Sequence, residues 1–239
     1  LAGKTIASAR IPTIWLNTHH HEPFGCIYPD DIHAGRTVTE HLIERGHRNI
    51  VLVTPLVGPG YFAHFSIAER EKGYEQAMNA HGLAPRKIHE SAAGSRQVVD
   101  ELKAMLSADL GSDRVTGIVT YELGQAIQLR CQMHELGLRC PQDISIIAAE
   151  DLHHFRRTWP DISVISCNRY QMGAQAAHMM LAKIDHRSSP QPSQVFKGEL
   201  IAGKTVAEPP LVSQRTGRRT AVEGARARGN ASRKPNATG

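Results

Sequence analysis

Thr39-Glu40-His41-Leu42-Ile43-Glu44-Arg45-Gly46-His47-Arg48-Asn49-Ile50-Val51-Leu52-Val53-Thr54 carries the end of a helix and then a buried strand. Just upstream, Asp30 or Asp31 offers an N-cap carboxylate. Ala34, Val38, His41 and Leu42 then recur on one helical face. Gly46 stops the helix, because the residue after a C-cap usually turns left-handed and glycine does so without steric cost. The run 49–54 is apolar with no polar alternation, and the Gly- and Pro-rich stretch 55–61 follows it. Such a run reads as a strand covered on both faces, as strands of parallel sheets are.

Working outward, helical patterns at 66–80, 97–108, 123–136 and 170–184 alternate with apolar strands at 117–120, 143–148 and 163–165. A weaker strand falls at 88–90 and a last one at 194–201, while 11–17 and 26–28 read as two short strands around a polar loop. Strand and helix thus alternate about five times, which predicts an α/β chain whose parallel sheet is covered by helices on both sides. Sheets of this kind bind ligands beyond the carboxyl ends of their strands. A site is therefore expected in the loops after Asn17, Thr54, Thr120 and Ala148.

The 239 residues fill one large domain or two small ones, and 41% apolar with 21% charged residues is ordinary for a globular protein. No run of about 18 apolar residues appears, so no membrane span is expected. Leu1-Ala2-Gly3-Lys4-Thr5 lacks the apolar core of a signal peptide. The net charge of +5 is concentrated at the C-terminus, where 215–239 holds seven of the 28 Lys and Arg and one acid, Glu223. The remainder, with 21 basic and 22 acidic residues, has no nucleic-acid footprint. The tail reads as a solvated basic segment, with nonspecific phosphate contact as the other reading.

Cys26, Cys131, Cys140 and Cys167 form no CxxC pair, and a chain of this length needs no disulfide, so reduced thiols are expected. His19-His20-His21-Glu22 and His153-His154 are consecutive residues that rarely converge on one ion, so no metal is expected. No GxSxG, P-loop or GxGxxG motif occurs. Gly58-Pro59-Gly60 is a turn rather than a phosphate cradle, since Pro59 removes an amide donor. Neither an enzyme activity nor a cofactor has residues behind it.

Four segments resemble one family. Residues 39–50 resemble the helix-to-strand passage of LacI/GalR regulators, and Arg70-Glu71-Lys72-Gly73-Tyr74 with Ala77-Met78 resembles their next helix. Gly137-Leu138-Arg139-Cys140-Pro141-Gln142-Asp143-Ile144-Ser145 resembles their entry into a later strand, and Trp159-Pro160-Asp161-Ile162-Ser163-Val164 resembles their return. Order and spacing agree over residues 11–205. The resemblance implies a periplasmic-binding-protein-like fold of two parallel-sheet, Rossmann-like subdomains joined by three crossings, with an effector in the cleft between them. Carried onto this sequence, 1–29 and 165–190 belong to the first subdomain, 30–164 and 191–206 to the second, and 207–239 is a disordered basic tail. The family's helix-turn-helix, hinge helix and several strands precede this point. The first subdomain is therefore expected to be incomplete and marginal.

The resemblance also implies site residues. Arg70 stands where relatives hold a ligand hydroxyl or carboxylate, a task suited to a planar, permanently charged fork; the competing reading is an exposed helix arginine. Asn17 stands where the family often has Asp, and reads equally as a turn residue. Tyr121-Glu122 replaces the usual Asn-Asp, and Glu150-Asp151 an Asp-Asp or Asp-Asn; Glu150 is the better ligand candidate of its pair. Phe62 and Phe65, ahead of Arg70, offer stacking faces or core packing, and Cys167 with Asn168 follows the third crossing.

A small sugar-like or nucleoside-like effector, a homodimer and a cytoplasmic location follow as expectations. Operator DNA is reached only through a head absent from this sequence. A transporter's solute-binding protein is the alternative, and an upstream signal peptide rather than an upstream helix-turn-helix would distinguish it.

Overall fold

The computed structural model describes residues 11–18, 22–55, 64–90, 95–107, 114–185 and 191–210. Nine strands and six helices are placed there. In chain order they are β1 (Trp15–Leu16), β2 (Cys26–Pro29), α1 (Asp31–Glu44), β3 (Ile50–Thr54), α2 (Ser66–Ala80), β4 (Arg86–His89), α3 (Ser95–Ser107), β5 (Gly117–Thr120), α4 (Leu123–Glu135), β6 (Ser145–Ala148), α5 (His153–Arg156), β7 (Ser163–Ser166), α6 (Arg169–Ile184), β8 (Gln194–Phe196) and β9 (Glu199–Ile201).

All five residues of β3 are buried, and they face two different cores. Val51 and Val53 join Ile118 in packing on Val98 and Leu102 of α3 and on Leu123, Ala126, Leu129 and Met133 of α4. Ile50 and Leu52 join Val119 and Ile147 in packing on Ala34, Val38 and Leu42 of α1 and on Tyr74, Ala77 and Met78 of α2. Period-two alternation thus sends apolar groups to both faces, which is why the strand reads as an unbroken apolar run. The six-stranded sheet runs β4-β3-β5-β6-β7-β9. It is parallel except at the β7–β9 edge, where the pairing is antiparallel. Successive connections from β3 go first to one side and then to the other, creating the switch point at which doubly wound sheets bind ligands.

Local signals set the helix ends. Asp30 caps α1, its Oδ1 accepting from the His33 N–H at 2.8 Å. At the other end the Gly46 N–H donates to Ile43 O and the His47 N–H to Leu42 O, a Schellman closure with Gly46 at φ +95°. Gly82 and Gly137 close α2 and α4 with the same pair of bonds. His47 is fully buried and ties the body to its C-terminal stretch: Nδ1 lies 2.8 Å from Thr116 Oγ1 and Nε2 2.8 Å from the Ala207 carbonyl.

The second sheet is small, with parallel order β1-β2-β8. Its covering helix, α6, places Met172 and Met179 on Ile27, with Ile14, Ala176, Cys167 and Phe196 around them. The chain passes between the sheets three times: at Asp30, at 167–168 and at 197–198.

Several expected boundaries differ. The strand expected over 11–17 is reduced to Trp15–Leu16, and 194–201 is two strands separated by Lys197-Gly198. Residues 191–206 were expected to lie wholly with the larger sheet, but β8 pairs with β2 in the smaller one and only β9 joins the larger. The division at 164/165 falls inside β7, which stays in the larger sheet through Ser166. The expected tail began at 207, yet Ala207 is bonded to His47 and to Ser145. Residues 211–239 lie outside the described residues. The short helix α5 had no sequence signal, being a single turn.

Candidate functional site

The carboxyl ends of both sheets face one cleft of about 490 Å3. Leu16, Asn17, Pro29, Arg169 and Met172 line it from the smaller sheet and its helix, and Ser66, Arg70, Tyr121, Ala149 and Glu150 from the larger.

Arg70 is its centre, and two glycines put it there. A methyl group on Gly35 would overlap the Arg70 carbonyl, and one on Gly73 would overlap the Ile32 carbonyl. Helices α1 and α2 therefore touch backbone to backbone, which brings the Arg70 side chain beside Asp31 at the start of α1. Arg70 Nε donates to Asp31 Oδ1 at 2.7 Å, with the two side chains 5% and 2% exposed. Arg70 Nη1 donates to the Tyr121 carbonyl at 2.9 Å and lies 2.6 Å from Glu150 Oε2. The guanidinium carbon stands 4.4 Å over the Tyr121 ring, in cation–π range. The other Glu150 oxygen pairs with Arg169, the first residue of α6.

Acid and base thus alternate as Asp31–Arg70–Glu150–Arg169, and the last link joins the larger sheet to the helix of the smaller. Burial, reinforced by the Arg70 cation, pulls Arg169 below the usual arginine value. A second link crosses nearby. The Tyr121 hydroxyl lies 2.7 Å from Ser66 Oγ, and Ser66 Oγ lies 2.7 Å from His64 Nδ1. Burial holds the His64 ring below the ordinary histidine value, against the opposing pull of Asp31.

Of the residues singled out from the sequence, Arg70, Tyr121, Glu150, Asn17 and Cys167 line the cleft. Arg70 is not the exposed helix arginine of the competing reading, being 4% exposed. Asn17 is also a turn residue, with φ +50°. Burial, with a further push from Asp31, raises the Cys167 thiol, whose Sγ lies 3.8 Å from the Phe196 carbonyl. Glu122 needs correcting: its carboxylate caps α4, accepting from Gly124 N–H at 2.5 Å and Gln125 N–H at 2.7 Å, and it is outside the cleft lining. Asn168 similarly caps α6, accepting from Gln171 N–H at 2.9 Å. Phe65 packs by its ring on His64, centroids 4.3 Å apart, and is not in the lining. Phe62 lies outside the described residues.

Sequence reasoning missed Asp31, Arg169 and the His64–Ser66 pair. Asp31 had a faint signal: of two adjacent acids at a helix start only one can be the N-cap, and the other is left for another partner. Among the described residues no cluster of three or more His, Cys, Asp and Glu is placed to hold a metal ion.

The model of the periplasmic-binding-protein-like domain matches residues 39–206. The HTH-type transcriptional repressor PurR of Photorhabdus laumondii is 27% identical over 189 residues, covering 79% of this chain and 54% of the relative. The HTH-type transcriptional regulator GalR of Escherichia coli (strain K12) is 28% identical over 196 residues, covering 78% and 52%. The chain therefore spans about half the length of these curated relatives. A LacI family transcriptional regulator of Enterococcus faecalis V583, crystallised with bound ribose, superposes with a TM-score of 0.70 at 24% identity, covering 86% of this chain and 72% of that one. The doubly wound sheet, the cleft at the carboxyl ends of both sheets and the matched span agree: the chain belongs to the periplasmic-binding-protein-like domain family.

Proposed function

We propose that this chain is the effector-sensing part of a LacI/GalR-type transcription regulator, taking a small sugar-like or nucleoside-like molecule between the two sheets. The observation that carries the reading is the Asp31–Arg70–Glu150–Arg169 chain, which runs through the cleft and ends on the opposite wall. A ligand that meets Arg70 and Glu150 acts directly on the link between the two layers. Only a difference in affinity between open and closed arrangements shifts their balance, and a cleft spanned by polar contacts supplies it. We read the two layers as the two subdomains, Arg70, Glu150, Tyr121, Asn17 and Cys167 as ligand contacts, and the chain as a binding protein rather than an enzyme. That the curated relatives are a transcriptional repressor and a transcriptional regulator supports this and not the transporter alternative.

Operator DNA belongs to the whole regulator and would be read by a helix-turn-helix outside this span. A homodimer and a cytoplasmic location complete the reading. Among the described residues no helix is long and apolar enough to cross a membrane. Calorimetric titration with a panel of neutral pentoses, hexoses, purine bases and nucleosides tests the proposal. Saturable binding of one class is the expected result, and no heat from any member would overturn it.

A further inference from the structure

The charged chain in the cleft is nearly closed on itself. Arg70 Nε and Nη1 are engaged by Asp31, by the Tyr121 carbonyl and by Glu150. Glu150 uses one oxygen on Arg70 and the other on Arg169. One buried polar atom of the chain is left over. Asp31 Oδ2 has no hydrogen-bond partner among the described residues, on a side chain that is 2% exposed and lines the cleft. A buried carboxylate oxygen without a donor is costly, and the cleft is the side from which a donor can come.

The charge balance says which donors. Asp30, Asp31 and Glu150 face Arg70 and Arg169 across the lining, so the acids outnumber the fixed cations. A carboxylate or phosphate entering here meets excess negative charge. The Nε and Nη1 donors of Arg70 are already held by Asp31, the Tyr121 carbonyl and Glu150, so an anion seeking them must also displace a carboxylate. A hydroxyl meets neither obstacle and supplies what Asp31 Oδ2 lacks. Leu16, Ala149, Ile165 and Met172 offer apolar surface to the carbon face of a ring.

We infer that Asp31 is the specificity residue of this cleft: its free oxygen accepts a hydrogen bond from a ligand hydroxyl, and its pairing with Arg70 closes the site to anions. The ligand class is an uncharged, hydroxyl-bearing ring molecule. The inference rests on the sensor reading above and adds to it a selection between neutral molecules and their acids.

Matched probes test it by calorimetry on this chain and on Asp31→Asn, which keeps the size of the side chain and removes its charge. The pairs are D-ribose with D-ribonate and with D-ribose 5-phosphate, and adenosine with its 5′-monophosphate. The wild type is expected to bind the neutral member of a pair at least about tenfold more tightly than the acid. Asp31→Asn is expected to weaken the neutral ligand and strengthen the acid, shrinking or inverting the ratio, because the Arg70 fork is released. An acid that binds the wild type as tightly as its neutral partner overturns the inference and leaves the sensor reading intact. An Asp31→Asn ratio equal to the wild-type one does the same. If no probe of either kind binds the wild type, the sensor reading fails and this inference with it. Should Asp31→Asn not fold, the wild-type ratio alone decides.

Discussion

The six-stranded sheet buries apolar groups on both faces, Val51 and Val53 toward one helical pair and Ile50 and Leu52 toward the other. The three-stranded sheet has a buried core of Ile27, Met172 and Met179 and leaves Leu16, Phe24 and Val195 roughly half exposed. Both sheets are parallel at their centres, both end at the same cleft, and the chain passes between them three times. The difference is in how much apolar surface each removes from water, at roughly 25 cal/mol per Å2. Stability is therefore concentrated in the larger layer, while the polar chain that defines the cleft depends on both. Functional motion in proteins is drawn from the less stable part, and here that part carries Arg169.

The largest expected effect is at the centre of the polar chain. Arg70→Ala strands Asp31, a buried carboxylate, and is expected to cost about 3–5 kcal/mol in urea unfolding. Loss of ligand binding by that variant alone would not separate contact from collapse, so the midpoint has to be measured beside it. Next comes the helix contact that places Arg70. Gly35→Ala drives a methyl group into backbone and is expected to cost about 3 kcal/mol, at the upper end for overpacking. A midpoint equal to wild type would mean that α1 and α2 stand further apart than described.

A smaller and more local effect separates the two layers. Ile27→Val is expected to cost about 1 kcal/mol and to speed amide exchange in β2 and α6 while leaving β3 and β5 unchanged. Equal acceleration in both layers would show that they unfold as one unit. The smallest expected effect is on acid stability and lies in the larger layer. Burial lowers His47, and burial with Arg45 lowers His41, relative to the ordinary histidine value of 6.5. The unfolded chain takes up protons before the folded one does. The stabilisation is thus complete above about pH 6.5 and is lost as pH falls through the depressed folded values. His47→Gln is expected to flatten, not abolish, the fall in urea midpoint between about pH 7 and pH 5, because His41 titrates with the same sign.

The larger layer was legible from the sequence because its signals are local. An apolar run with no polar face, a carboxylate before a helix and a glycine after it each fix their own neighbourhood, and β3, Asp30 and Gly46 lie where those signals put them. The smaller layer was less legible for the same reason. Its strands are two to four residues long, and β8 is assigned to it by pairing with a strand 167 residues earlier in the chain, which no local pattern reports. The site divides similarly. Arg70, Tyr121 and Glu150 follow from strand ends and resemblance. Arg169 enters through an ion pair between layers, and Asp31 through a helix contact set by Gly35 and Gly73. Glu122 was misplaced because an acid before a helix is a cap first, and each of its carboxylate oxygens accepts a backbone N–H at the start of α4.

Residue-resolved hydrogen exchange, run with and without a saturating neutral ligand from the titration panel, tests the central claim most directly. Amides of β3, β5 and β6 are expected to exchange only through global unfolding, and those of β2 and α6 through a smaller opening that the ligand suppresses. Equal protection in the two layers, with no change in α6 on saturation, would contradict a ligand cleft that joins a stable layer to a marginal one.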